Sequence, residues 1–340
     1  MEVKPIDQGE IMGYKHLTIK EKESILVCLE KGLNLSQIAL SLRRNRSTIS
    51  REIKRGSINN QYSIVQSEEN YKNNRVKCRM KKRLDNINLR DYVAEKILVK
   101  RWSPEQIVNR SALEGMPLKI SYHTIYRGLN AGEFDRYLST THKLKATRKL
   151  RHRGKKRHKK GLNNDKRGTF EITHNIEDRP TEATARAEKG HWELDTVIGI
   201  KGGSCLVTIT DRKTRFLLCA RASKKSALEV NKVICKLLKN KPCKSITPDR
   251  GKEFALYKLI EKTLNTIVYF PSPHQPWQRG TNENTNGLLR EYFPKGKDLS
   301  LFTENYINDK IDELNKRPRK CLNWLSPFEA YYGVVLHLAC

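Results

Sequence analysis

Three carboxylates in this chain stand where an acidic side chain needs a reason. Asp195 lies within a β-type run, among Leu194, Val197 and Ile198. A carboxylate issuing from such a run is costly unless it is paired or holds a metal. Asp249 ends a short strand in Thr247-Pro248-Asp249-Arg250-Gly251, and the carboxyl ends of strands in an open sheet are where ligands gather. Glu283 falls on an expected helix behind a proline-rich loop, where Arg279, Glu283, Asn286 and Arg290 recur at steps of four, three and four. That spacing puts them on one face, opposite Leu288. Three carboxylates from three elements suit a pair of hard divalent cations, which need bridging oxygen ligands. One ion would lower the pKa of an attacking water or 3′-hydroxyl, and the other would stabilise the leaving oxygen. Arg279, one turn before Glu283, and Arg290, two turns after it, would hold phosphates. Spacing does not separate these three acids from Glu193, Asp211, Glu253 and Glu291. Glu193 shares a strand face with Asp195 and is the nearest rival.

The elements that must position them are legible from about residue 186 onward. Runs at 192–200, 205–210 and 214–221 read as strands, with Gly202-Gly203 and Asp211-Arg212 at the turns. An amphipathic helix is expected over 227–238, a buried strand over 244–247, a helix over 254–264 and a strand over 267–270. A three-strand meander followed by alternating helix and strand suits an α/β sheet of the ribonuclease-H type.

Upstream the periodicity is helical. Thr18 and Glu21 form a capping box, Ile25, Leu26 and Leu29 follow at helical spacing, and Gly32 stops the helix. Leu35, Ile38, Ala39 and Leu42 trace a second helix, and a third begins at Ser47 with Ile49 and Ile53 inward. This order reads as a helix-turn-helix. Arg46, Thr48, Ser50, Arg51 and Lys54 are its candidate DNA contacts, short polar groups for base edges and cations for phosphates. Residues 61–100 carry too few apolar positions for a firm pattern. Ser103-Pro104-Glu105-Gln106 then starts another helix, Gly115 ends it, and Ser121 caps a further one with Ile125 inward and His123, Thr124 and Arg127 outward. This pair could be a second helix-turn-helix or a plain hairpin, and Gly128 should weaken its last helix. Between Lys143 and Lys160 runs a dense Lys/Arg block, suited to a flexible arm whose grip on DNA would fall steeply with salt.

The charge of +30 costs self-repulsion unless a polyanion cancels it, and nucleic acid is the usual one, though a ribosomal or membrane-surface protein can be as basic, so charge names a partner class and no activity. Eight cysteines include no Cys-x-x-Cys pair, which argues against a zinc site. Cys28, Cys219 and Cys235 sit in apolar runs and should be buried free thiols. No signal region precedes His16 and no stretch approaches membrane-spanning length. The expected setting is therefore the reducing cytoplasm, at the bacterial nucleoid.

Three stretches carry a family resemblance: 191–199 (His-Trp-Glu-Leu-Asp-Thr-Val-Ile-Gly), 249–254 (Asp-Arg-Gly-Lys-Glu-Phe) and 276–290, from Pro276-Trp277-Gln278-Arg279 to Leu289-Arg290. They resemble those of DDE transposases of the insertion-sequence-thirty family, as does 42–55. Thirty-three residues separate Asp249 from Glu283, as in that family's triad. The wider group's Tyr-Arg-Glu-Lys signature is met at Arg279 and Glu283, with Arg290 in place of lysine and Pro276 beside Trp277 in place of tyrosine. The resemblance implies Asp195, Asp249 and Glu283 as catalytic residues and ligands of two Mg²⁺ ions, with Mn²⁺ able to substitute. It also implies recognition of terminal inverted repeats in double-stranded DNA, 3′-end cleavage, and strand transfer through a joined-end or circular intermediate by a homo-oligomer. A regulator retaining only the helix-turn-helix would have no use for the acids. No residue separates joining from simple hydrolysis. The expected layout is a helix-turn-helix domain at 1–60, a helical region at 61–140, a basic linker at 141–185 and a ribonuclease-H-like catalytic domain at 186–340.

Overall fold

The computed structural model of the chain describes residues 16–59, 61–78, 80–138, 145–150, 171–273 and 275–339. They divide into two compact units, split after Lys82.

In the first unit, Thr18 caps α1 (Ile19–Glu30) through the expected box with Glu21, and Asn34 caps α2 (Leu35–Ser41). Helix α3 (Arg46–Gly56) starts one residue before the sequence suggests, because Asn45 caps it by accepting the Ser47 N–H. Ile25, Ile38, Ala39 and Ile49 form the core. A short ribbon, β1 (Ser57–Ile58) with β2 (Gln61–Tyr62), leads to α4 (Ile64–Cys78). That helix had no clear apolar stripe because polar groups dock it. Buried Glu52 of α3 accepts from Ser67 and Tyr62 and pairs with Lys22 of α1 at 3.1 Å. Lys22 also pairs with Glu68, and the Arg55 guanidinium lies 5.6 Å from the Tyr71 ring centre.

The second unit begins with α5 (Ile87–Leu98), α6 (Pro104–Leu113) and α7 (Tyr122–Asn130), closed on Val93, Ile97, Trp102, Ile107, Ile125, Leu129 and Phe134. Gly128 is not a weakness here. A Cβ at that position would meet Leu84 Cδ1 at 2.5 Å, so any larger residue must push that side chain aside where the 83–85 turn packs on α7. Arg110 of α6 is buried and donates to both oxygens of Glu329, at 2.6 and 2.8 Å, in α13 (Pro327–Tyr332). It also pairs with Glu114, whose carboxylate accepts the backbone N–H groups of Leu338 and Ala339. The helical region is thereby joined to the end of the chain. Of the basic run, residues 151–160 lie outside the described residues, while Ala146–Lys149 form a single turn with Ala146 buried.

After α8 (Thr181–Ala185) comes a five-stranded sheet: β3 (His191–Ile198), β4 (Cys205–Asp211), β5 (Leu217–Ala222), β6 (Ser245–Thr247) and β7 (Ile267–Val268). Its spatial order is β5-β4-β3-β6-β7, antiparallel through the first three strands and parallel from β3 to β7. This is the ribonuclease-H-like arrangement. The third strand starts later than its apolar run suggests, since Thr214 serves the turn by donating to Asp211. Helices α9 (Ala227–Leu238) and α10 (Tyr257–Leu264) cover one face over Trp192, Leu194 and Ile246. Helices α11 (Gly280–Leu289) and α12 (Glu304–Lys316) cover the other over Val197, Leu206 and Leu217. Alternation along β3 therefore sends Glu193 and Asp195 toward α11. Of the three thiols expected to be buried, Cys219 is, whereas Cys28 and Cys235 are half-buried on helix flanks. Among the described residues no helix is long and apolar enough to cross a membrane.

Candidate active site

Asp195 and Asp249 come together because β3 and β6 are hydrogen-bonded neighbours, paired from His191–Ser245 to Glu193–Thr247. Both carboxylates are half-buried. Burial first, then the charge of Asp249, pushes Asp195 up to about 6. Burial also raises Asp249, with the charge of Glu253 adding to it, while Arg279 opposes the rise at both acids. Asp195 Oδ1 accepts the Thr196 N–H at 2.7 Å, and Oδ2 accepts from Asn286 Nδ2 at 3.0 Å. Asp249 Oδ1 accepts the Gly251 N–H at 2.8 Å. Two carboxylates held by donors yet raised by burial and like charge form a hard-oxygen donor set that a divalent cation relieves. The residues present therefore fit a hard divalent cation.

The third acid stands differently. Glu283 is exposed on the first turn of α11, one helical turn before Asn286, and among the described residues it takes no hydrogen bond. No three acidic, histidine or cysteine side chains among the described residues are yet gathered around one point. Arg279 donates to the Leu194 carbonyl at 3.3 Å, beside Asp195. Arg290 is lowered by burial, and the charge of Asp195 partly restores it. A cavity of about 520 Å³ opens beside the acids, with Lys201, Lys225, Arg290 and Lys295 in its wall.

The rival acids separate by their partners. Glu193 is fully buried, pairs with Arg212 and accepts the Asn282 N–H at 3.0 Å, so it pins α11 to β3. Asp211 accepts from Gly190 and Thr214 in its own turn, and Glu291 pairs with Arg317. Glu253 alone of the four lies at the site, where it accepts from Thr196 Oγ1 at 2.8 Å and pairs with Lys225 at 2.8 Å. Lys225 carried no sequence signal, and the Asn286 spacing marked only its helix face; its bond to Asp195 depends on how α11 packs on β3.

In the first unit Arg46, Ser50, Arg51 and Lys54 are exposed along α3, while Thr48 is half-buried in a cleft it shares with Arg51 and Tyr71. On α7, His123 and Arg127 are exposed and Thr124 is half-buried under the Ser121 cap.

A helix-turn-helix domain model matches residues 13–56. The transposase InsI for insertion sequence element IS30A of Escherichia coli (strain K12) is 38% identical over 339 residues, covering 96% of this chain and 85% of that protein. The transposase for insertion sequence element IS4351 of Bacteroides fragilis is 35% identical, covering 94% of this chain and 97% of that protein. For the transposase of IS1086 from Cupriavidus metallidurans the identity is 32%, with 95% and 96% covered. A crystal structure of the catalytic core domain of BIV integrase aligns with 43% of this chain and 95% of its own, at 18% identity and a TM-score of 0.35. With relatives of this identity matched along nearly the whole chain, this protein belongs to the IS30 family of insertion-sequence transposases.

Proposed function

We propose that the chain binds the terminal inverted repeats of its element through α3 and carries out metal-dependent 3′-end cleavage and strand transfer at Asp195, Asp249 and Glu283. The observation that carries this reading is the half-buried pair Asp195, on β3, and Asp249, two residues past the end of the neighbouring β6, with the charge of Asp249 raising Asp195. When bound, two divalent cations, Mg²⁺ in the cell and Mn²⁺ as substitute, supply Lewis acidity at the reacting phosphate. The chain's own groups do the rest. Asn286 and the Thr196 N–H orient Asp195, and the Gly251 N–H orients Asp249. Glu283, on the helix face that touches Asp195 through Asn286, is open to complete the donor set. The charges of Arg279 and Arg290 both act on Asp195, and these two side chains would hold the scissile strand. The protein would act in the cytoplasm as a homo-oligomer on paired ends.

The test is incubation of purified protein with labelled end-bearing DNA in Mg²⁺, Mn²⁺ or EDTA, with Glu283→Gln alongside. Nicked and joined products are expected from the wild type in either metal and from neither protein in EDTA, with the variant silent throughout. A variant that joins ends at the wild-type rate would remove Glu283 from the site. Arg51→Ala should weaken binding to the ends by about 1–3 kcal/mol. An unchanged affinity and salt slope would take α3 out of the interface.

A further inference from the structure

Beside the acid pair, the second unit gathers four guanidinium groups. Arg179, buried, donates to Thr184 Oγ1 at 3.2 Å and Thr247 Oγ1 at 3.4 Å. Arg212, also buried, pairs with Glu193 and donates through Nε to the Ala183 carbonyl at 2.8 Å. Arg215 reaches Thr281 Oγ1 on the first turn of α11 at 2.7 Å. Arg186 is exposed and takes no hydrogen bond among the described residues. Their charges act on one another. Burial first, then the neighbouring guanidiniums, holds Arg179 at about 10 and lowers Arg186 and, despite the Glu193 pair, Arg212.

Counter-charge is short. Both Glu193 oxygens are taken, one by Arg212 and the other by the Asn282 N–H. The Asp211 carboxylate is committed to Gly190 and Thr214. Arg179 Nε is buried without an acceptor. The one Glu193 carboxylate among four guanidiniums leaves net positive charge that a further anion would offset, and the N-terminal end of α11 adds charge of the same sign. Arg186 and Arg215 also hold left-handed backbone, at φ +58° and +62°, where an arginine is strained and asparagine or glycine is not.

We propose that these four arginines form a phosphate subsite that takes a backbone phosphate of the bound DNA strand. Guanidinium forks match phosphate oxygens in pairs, and exposed Arg186 with half-buried Arg215 are the ones a strand lying on the surface would meet. Glu193, at the centre of the cluster, sits two residues from Asp195 on the same face of β3, about 7 Å along the strand. The subsite rests on the strand-processing reading above.

The experiment uses the full chain, the variant Arg186→Ala with Arg215→Ala, and the single Arg186→Ala, whose exposed side chain is dispensable for folding. Binding of an end-bearing duplex is measured against salt. Removing one phosphate contact should reduce the slope of log K against log salt by about 0.9. In parallel, inorganic phosphate at matched ionic strength should raise the wild-type Tm and leave the double variant unmoved. An unchanged slope overturns the proposal. If phosphate still stabilises only the wild type in that case, the cluster takes a free anion and no DNA. Loss of cleavage by Asp195→Asn with an unchanged slope here would sink the subsite alone. Cleavage that survives Asp195→Asn would sink the catalytic reading instead.

Discussion

Asp195→Asn is expected to slow cleavage of end-bearing DNA by at least about 10³-fold, roughly 4 kcal/mol of barrier, without loss of duplex affinity or of Tm. The asymmetry follows from the two kinds of work this side chain does. As a ligand it supplies charge to the site, and an amide supplies none. As a structural group it accepts the Thr196 N–H and a proton of the Asn286 amide. Asn286 Oδ1 is buried and unpartnered, so its amide can turn over and accept from the new amide instead. The repulsion from Asp249 that raises Asp195 disappears at the same time, so the fold should be unchanged or slightly firmer. Paired cleavage and filter-binding assays with a melting curve check this. A variant that cuts within tenfold of wild type would take Asp195 out of the reaction. One that melts early would show that the loss is structural.

Arg110→Ala should cause the largest loss of stability, about 3–5 kcal/mol. For a unit of this size that is on the order of 10 °C in Tm. Among the described residues the guanidinium is the one cation paired with the Glu114 and Glu329 carboxylates, whose side chains are almost wholly covered, and its removal leaves both charged and desolvated. The same cluster gives stability a pH dependence. Burial pushes the Glu329 carboxyl up, but hydrogen bonds from Arg110 and from the Ser326 and Leu336 N–H groups outweigh it and hold it at about 2. A folded value below the ordinary 4.5 contributes stability that is complete above pH 4.5 and lost as pH falls toward 2. Thermal melts of wild type and Arg110→Ala across that range should therefore converge at the acid end. A constant gap between them would show that the cluster is not what titrates.

The strands and most helices were legible because each depends on local rules. The Thr18, Ser103 and Ser121 caps and the apolar alternation of β3 act within a few residues. Helix α4 was not legible, since a helix docked by Glu52, Lys22 and Tyr71 leaves no apolar period. Gly128 was misread as a weak point because its reason, the Leu84 side chain, lies forty-four positions away.

What the sequence by itself determined was the cast: two aspartates at strand positions, a glutamate on a helix with flanking arginines, and their membership of a transposase family. Which of the acids are free to act was decided only by the tertiary structure. Glu193 and Asp195 have the same strand face and the same spacing logic. One is neutralised by Arg212, from the far end of β4, and the other meets Asp249 across the parallel β3–β6 pairing. A carboxylate's chemistry is set by the charges and donors within a few ångströms of it, and here those come from residues 19 to 91 positions away along the chain.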